Sequence, residues 1–241
     1  MTRHEDHIGN RILLALPVHE FNRLYQHLRL VELQRGQMIC HPGQPVQDFY
    51  FINRGLVSLI KRMRNGEAVE IGAQGIEGVT SPEVLLGVAT PFHEAMIQVP
   101  GAAFHITKSV LQQQFEQGGR LKSLLLSYIH AAADQVAQAA ACNRLHVLEQ
   151  RICRWILTAQ DNARSDTFPI TQEFLAMLLG VHRPGMSLAL AKLQEAGLLK
   201  YVRGHLTVIE RAKVEALACE CYQAIRNEFD RLFPKRDVNS I

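Results

Sequence analysis

Long apolar runs, a disulfide framework and the usual catalytic motifs are all missing from this 241-residue sequence. No uncharged stretch approaches the roughly 18 apolar residues that a membrane span needs. Residues 95–107 are charge-free, but they are too few and contain Pro100. Low-complexity tracts are absent, and 47% apolar against 20% charged residues excludes a chain disordered throughout. Five cysteines, an odd number scattered from Cys40 to Cys221, do not pair into a framework. The opening Met1-Thr2-Arg3-His4-Glu5-Asp6-His7 is polar and acid-bearing, unlike a secretory signal. These absences lead to the expectation of a soluble, cytoplasmic protein with no membrane contact.

Signs of catalysis and metal binding are equally scarce. No Gly-x-Ser-x-Gly elbow or His-Glu-x-x-His pair occurs, so no catalytic residue is assigned and an enzyme is not expected. Gly72-x-x-Gly75-x-x-Gly78 follows a hairpin rather than opening a βαβ unit, and reads as strand-end turns. An iron–sulfur centre needs clustered thiolates. Cys40 and Cys142 read as isolated, and Cys153 falls on the buried side of a helix. Cys219-x-Cys221 reads as part of one helix, where positions i and i+2 point to different faces. His4-Glu5-Asp6-His7 reads as a solvated terminus. The expectation is therefore no metal and no cofactor.

Charge is nearly balanced overall, at net +3, but unevenly placed. Residues 144–241 hold 14 Lys+Arg against 11 Asp+Glu, so this part carries the whole excess. A modest basic bias is compatible with a polyanionic partner.

The length gives a prior of one to two domains, and the residue pattern divides the chain into three zones. Residues 10–28 have helical periodicity broken at Pro17. Residues 31–106 read as short strands between turn signals, which suggests a β sandwich or barrel. Asn65-Gly66 is the dipeptide favoured in a type I′ hairpin, and Ala95, Ile97 and Val99 alternate as an inward strand face. After Gly118-Gly119 the period turns helical. Leu125, Ile129, Ala132, Val136 and Ala139 are spaced 4, 3, 4, 3, like a coiled-coil seam. The alanines around them offer little bulk for an intrachain anchor, so self-association is expected along this helix. Leu148, Ile152, Trp155 and Ile156 then mark a further helix.

The segment 170–209 carries the most information. Thr171 is a candidate N-cap, Phe174, Leu175, Leu178 and Leu179 form an apolar face, and Gly180 allows a tight turn. Pro184 suits the first position of a second helix, which buries Met186, Ala189, Leu190 and Leu193 and ends at Gly197. Two short helices joined by such a turn make a helix-turn-helix. The strands flanking Arg203-Gly204 read as its wing. The second helix presents Arg183, suited to guanine O6 and N7; Ser187, suited to a base edge or phosphate; and Leu188, suited to a thymine methyl. Thr171, Gln172, His182, Arg203 and His205 are candidates for phosphate.

A β-rich amino-terminal zone, a long helix and the run Gly180-Val181-His182-Arg183…Leu193-Gln194-Glu195-Ala196-Gly197-Leu198 resemble the Crp/Fnr superfamily of bacterial transcription regulators. The stretch Ala141-Cys142-Asn143-Arg144-Leu145-His146 resembles a subgroup of it. The resemblance spans most of the chain and implies an α+β architecture. Residues 1–118 would form a cyclic-nucleotide-binding-like β jelly-roll sensor, 119–143 a dimerisation helix, and 144–241 a winged helix-turn-helix domain with a carboxy-terminal helix. It further implies a homodimer on pseudo-palindromic double-stranded DNA, with RNA polymerase as a further candidate partner. Arg183 matches a recognition-helix arginine of the superfamily, but Pro184 and Leu188 replace an acidic residue and a second arginine, so an unfamiliar operator is expected. In the sensor, Glu77 stands in a shifted context, and His93-Glu94 replaces the arginine that would hold a cyclic phosphate. Glu77 and His93 are the candidate effector-pocket residues, for an effector not expected to be a cyclic nucleotide. Two alternatives stay open: a cyclic-nucleotide-activated regulator, and a sensor module whose winged helix binds a protein.

Overall fold

The computed structural model describes residues 8–233, and the His4-Glu5-Asp6-His7 motif lies outside them. Two short helices open the chain, α1 (Arg11–Leu14) and α2 (Val18–Tyr25), separated at Pro17. The N-cap of α1 is Asn10, whose buried side-chain Oδ1 accepts from Leu13 N at 3.1 Å. Its Nδ2 donates to Ile52 O at 2.9 Å and Gly78 O at 2.7 Å, tying the first helix to the sheet behind it.

The sheet comprises β1 (Arg29–Leu33), β2 (Met38–Cys40), β3 (Asp48–Arg62), β4 (Ala68–Gln74) and β5 (Glu94–Thr107), all pairing antiparallel. Its order is β1-β5-β3-β4, with β2 also on β5. β3 and β5 are 15 and 14 residues long, and their pairing slips register near Ile52, Arg54 and Leu56. Such bulges add twist and bend a long ladder over its own face. The inward faces of Phe49, Phe51, Ile97 and Ile106 fill the resulting core. The β3–β4 turn differs from expectation. Gly66 has φ +89°, but Asn65 is not left-handed. Gly66 N donates to Met63 O and Met63 N to Glu67 O, which makes a three-residue loop, a type I turn closed by a left-handed glycine. The two-residue turn with both central residues left-handed is Arg203-Gly204, at φ 49° and 78°.

Helix α3 (Lys108–Glu116) leads to the 27-residue α4 (Gly119–Leu145). The amino end of α4 is held by a distant residue: both carboxylate oxygens of Glu20 accept from the amides of Arg120 and Leu121, each at 2.9 Å. Leu121, Leu124, Leu125, Tyr128, Ala131, Gln135, Ala139 and Cys142 are its buried face. Two of the five expected seam residues thus point the other way. Leu125 belongs to the core of the first half and Ala139 is 7% exposed, so neither is free to meet a second copy; Ile129, Ala132 and Val136 are half-buried.

Helix α5 (Leu148–Ala163) opens the second half, followed by β6 (Thr167–Pro169), α6 (Gln172–Leu178), α7 (Arg183–Glu195), β7 (Leu199–Val202), β8 (His205–Val208) and α8 (Arg211–Leu217). The small sheet runs β6-β8-β7. The core of this half includes Trp155, Ile156, Leu175, Met186 and Leu190, and it extends into the first half through Leu56, Ile60, Ala73 and Val99. Helix α9 (Cys221–Leu232) packs in two directions, its Tyr222 joining the core of this half. It packs along α4 and sends Phe229, followed by Phe233, against Tyr128 in the sensor core. Arg11 pairs with Asp230 at 2.8 Å and donates to Phe229 O at 3.0 Å, joining the two ends of the described chain. No described helix is long and apolar enough to cross a membrane by itself.

Candidate nucleic-acid interface and sensor pocket

The chain turns by 108° between α6 and α7, within the angle typical of a helix-turn-helix. Thr171 Oγ1 accepts from Phe174 N at 3.2 Å and caps α6. Gly180 at φ 61° makes the turn. His182 is the N-cap of α7, so Arg183 takes the first helical position expected for Pro184, which moves to the second. Met186, Ala189, Leu190 and Leu193 face inward, as their spacing indicates.

The outer face brings the candidate residues onto one surface. Arg183 and Leu188 are exposed at successive turns of α7, the leucine at 62%. Ser187 is half-buried and donates to Gln172 Oε1 at 2.7 Å, which fixes α6 against α7. The guanidinium of Arg183 pairs with Glu173 at 2.6 Å with both side chains about two-thirds exposed (65% and 66%). Opening such a pair costs about 0–1 kcal/mol, so it presents Arg183 without locking it. Thr171, His182, Arg203 and His205 are exposed around this ridge, the last two at the tip of the wing. Lys200, on β7, is exposed as well, and the sequence reading did not single it out.

One neighbour of this surface was invisible in sequence. The β3–β4 hairpin of the first half faces the helix-turn-helix across a cleft of about 470 Å³, lined by Arg62, Glu67 and Val69 on one side and Met177, Gly180 and His182 on the other. No local pattern announces a contact between segments so far apart.

The two effector-pocket candidates do not form one site. Glu77 lies in the loop after β4, where its Oε1 accepts from Gly75 N at 2.9 Å. It lines a cleft of about 210 Å³ between the halves, with Arg11, Asp161, Asn162 and Arg226. Burial holds its carboxyl above the usual range, opposed by hydrogen bonds from its own and the Gly75 amide. Glu77 therefore belongs to the junction between halves, a correction to its place in the pocket.

His93 is instead buried within the first half. Burial and the charge of Lys61 push it down to about 4, so the ring is neutral at pH 7. Both ring nitrogens lack hydrogen-bond partners, and so does Oε1 of Glu83, which stands 4.0 Å from Nε2. Burial pushes the Glu83 carboxyl up. Glu94 is occupied elsewhere, in a two-pronged pair with Arg62 at 2.9 and 3.0 Å. A cyclic phosphate needs a cation or a cradle of amides; the cation that acts on His93, Lys61, donates to Phe92 O at 2.7 Å and lies over the Phe92 ring, and the buried groups there are an uncharged imidazole and the Glu83 carboxyl.

Two family models match the chain. Residues 30–117 match the family model of the cyclic nucleotide-binding domain, and residues 150–217 that of the Crp-like helix-turn-helix domain. Among curated protein sequences none matches the chain. Solved structures similar to it include FixK2 from Bradyrhizobium japonicum, at TM-score 0.66 and 13% identity over 80% of this chain and 98% of that one. The c-di-GMP-responsive global regulator CLP of Xanthomonas campestris superposes at TM-score 0.64 and 18% identity, over 80% and 99%. A CRP-family transcriptional regulator from Thermus thermophilus does so at TM-score 0.64 and 17% identity, over 78% and 96%. At these identities the likeness is one of fold.

Proposed function

The chain belongs to the Crp/Fnr family of DNA-binding transcription regulators, and from that premise we propose that it acts as a cytoplasmic homodimer on a two-fold symmetric operator. The observation that carries the reading is the α6–α7 pair at 108°, with Arg183 and Leu188 exposed on its outer face. Residues at the amino end of α7 would read base edges in the major groove, while Thr171, Gln172, His182, Arg203 and His205 hold the backbone. The protein works by binding rather than catalysis, and RNA polymerase is the partner through which bound protein would change transcription.

Dimerisation uses the open side of α4. Leu126, Ala133 and Ala140 are exposed, and Ile129 and Val136 are half-buried. Their steps of 3, 4, 3 and 4 follow one stripe about 20 Å long, a heptad seam whose small residues permit close approach. This seam keeps Ile129 and Val136 of the expected one and takes Leu126, Ala133 and Ala140 in place of Leu125, Ala132 and Ala139. Two winged helices would then meet successive major grooves, ~34 Å apart.

The effector is a polar molecule other than a cyclic nucleotide, received by the unpartnered nitrogens of His93 and the Glu83 carboxyl. Addition of cyclic AMP or cyclic GMP should leave the melting temperature unchanged; a ligand-dependent rise would refute this part.

Selection of duplexes from a randomised pool by the purified protein tests the main reading. The expected result is a two-fold symmetric motif bound with steep salt dependence. Recovery of unpatterned DNA, together with salt-insensitive capture of a protein partner, would move the winged helix to protein recognition.

A further inference from the structure

Outside both large cores, Cys142, Cys219 and Cys221 form a third buried cluster, with His146 at its edge. Cys142 and His146 come from the last turn and cap of α4. The other two come from the α8–α9 joint, Cys219 lying 77 residues beyond Cys142. The expectation that Cys219 and Cys221 share one helix fails at Ala218. That residue leaves α8 with ψ 149°, so Cys219 precedes the next helix and Cys221 is its first residue. The break lets the two sulfurs converge.

The distances are those of a metal centre. Cys142 Sγ lies 3.5 Å from Cys219 Sγ, and Cys221 Sγ lies 3.6 Å from His146 Nδ1. All four ligand atoms fall within 4.8 Å of one another. Tetrahedral zinc, with Zn–S near 2.3 Å and Zn–N near 2.05 Å, sets its ligand atoms roughly 3.5–3.8 Å apart. Two edges of the tetrahedron already have that length. The surroundings fit as well. His146 Nε2 donates to the Glu220 carboxylate at 3.0 Å, which turns Nδ1 toward the sulfurs; a carboxylate partner of this kind commonly orients a ligating imidazole. Gln138 Nε2 donates to Cys221 Sγ at 3.0 Å. Arg151 and Arg154 of α5 interact electrostatically with Cys142, and would offset the net negative charge of three thiolates around a divalent ion.

We propose that Cys142, His146, Cys219 and Cys221 form a structural zinc site that clamps the end of α4 to the start of α9. Three thiolates and one imidazole select a soft to borderline ion, and four protein ligands leave no open position for catalysis. The clamp lies where α4 passes into α5, so the metal fixes how the sensor half meets the winged helix. That last consequence alone rests on the DNA-binding reading above.

The test uses the full chain, produced untagged in zinc-supplemented medium. Elemental analysis should find one zinc per chain, released in step with modification of three thiols. Cobalt(II) in its place should give the intense visible bands of a tetrahedral site with thiolate-to-metal charge transfer. His146→Asn, at the partly open edge, should keep the native circular dichroism while weakening cobalt binding at least tenfold, and Cys219→Ser/Cys221→Ser should abolish it. The proposal fails if the unmodified chain binds neither ion, if cobalt enters an octahedral site, or if a Cys142–Cys219 disulfide forms with no metal present. Stoichiometric zinc in a protein that selects no DNA would support the site while defeating the proposed function.

Discussion

Arg183 stands exposed at the first position of α7, held by one carboxylate that water reaches from all sides. Because that pair contributes little to folding, removing the side chain should leave stability almost unchanged and act on DNA alone. Arg183→Ala is expected to weaken operator binding by about 1–3 kcal/mol per half-site and to relax preference at one base position, with backbone contacts retained. Quantitative titration of operator variants checks both parts; an unchanged preference would move base readout off this residue. His93 is the opposite case, buried, unpartnered and neutral. Its folded value of about 4 lies below the unfolded 6.5. The unfolded chain therefore binds a proton between these values that the folded chain refuses, and stability falls as pH drops through that window. Taken alone, the residue should remove about 2 kcal/mol by pH 5. Urea midpoints at pH 7.5 and pH 5 should show this loss in the parent and a smaller one in His93→Gln; equal losses would mean that the ring is already protonated or exposed.

At the scale of elements, α4 holds two apolar stripes side by side. Leu124, Leu125 and Tyr128 turn inward against the sensor, and Leu126, Ala133 and Ala140 turn out. Val136→Asp should convert the protein to a monomer in sedimentation at micromolar concentration, because a carboxylate in a close-packed seam has no partner to offset its desolvation. A variant that still sediments as a dimer would move the interface elsewhere. The periodicity made this helix readable in sequence and prompted the proposed self-association, but it did not show which stripe faces the protein's own core. Leu125 and Leu126 are adjacent and equally apolar, and only the sheet that covers one of them decides the matter. The helix-turn-helix was legible almost to the residue, since its signals are local: the Thr171 cap, the left-handed Gly180 and the inward spacing from Met186 to Leu193. The thiol cluster was not, because neither glycine nor proline marks the break at Ala218, and Cys142 joins from 77 residues away. Glu77 was misplaced for the same reason, its neighbours Arg11 and Asp161 coming from other parts of the chain.

Across the whole molecule, the halves share an apolar core beside the two clefts that lie between them. Trp155 of α5 donates from Nε1 to Glu70 of β4 at 3.3 Å, and Ser58 donates to the same carboxyl oxygen at 2.5 Å, all three buried. Asn162 Oδ1 accepts from Ile76 N at 2.8 Å, and Gly75 sits so close to the Asn162 side chain that a Cβ there would overlap it. Helix α9 adds a second tie by returning from the winged helix to the sensor core. Separate domains joined by a linker usually melt in separate steps, whereas a continuous apolar core couples them. The parent protein should therefore unfold in one calorimetric transition, its calorimetric enthalpy agreeing with the van't Hoff value for a dimer that dissociates as it unfolds. Gly75→Ala displaces the buried Asn162 side chain and its bond to Ile76 N but leaves the shared apolar core in place, so the transition should stay single and move to lower temperature. Two transitions in the parent would show that the shared core does not hold the halves together, and an unshifted temperature in the variant would show that the Asn162 contact adds nothing to that tie.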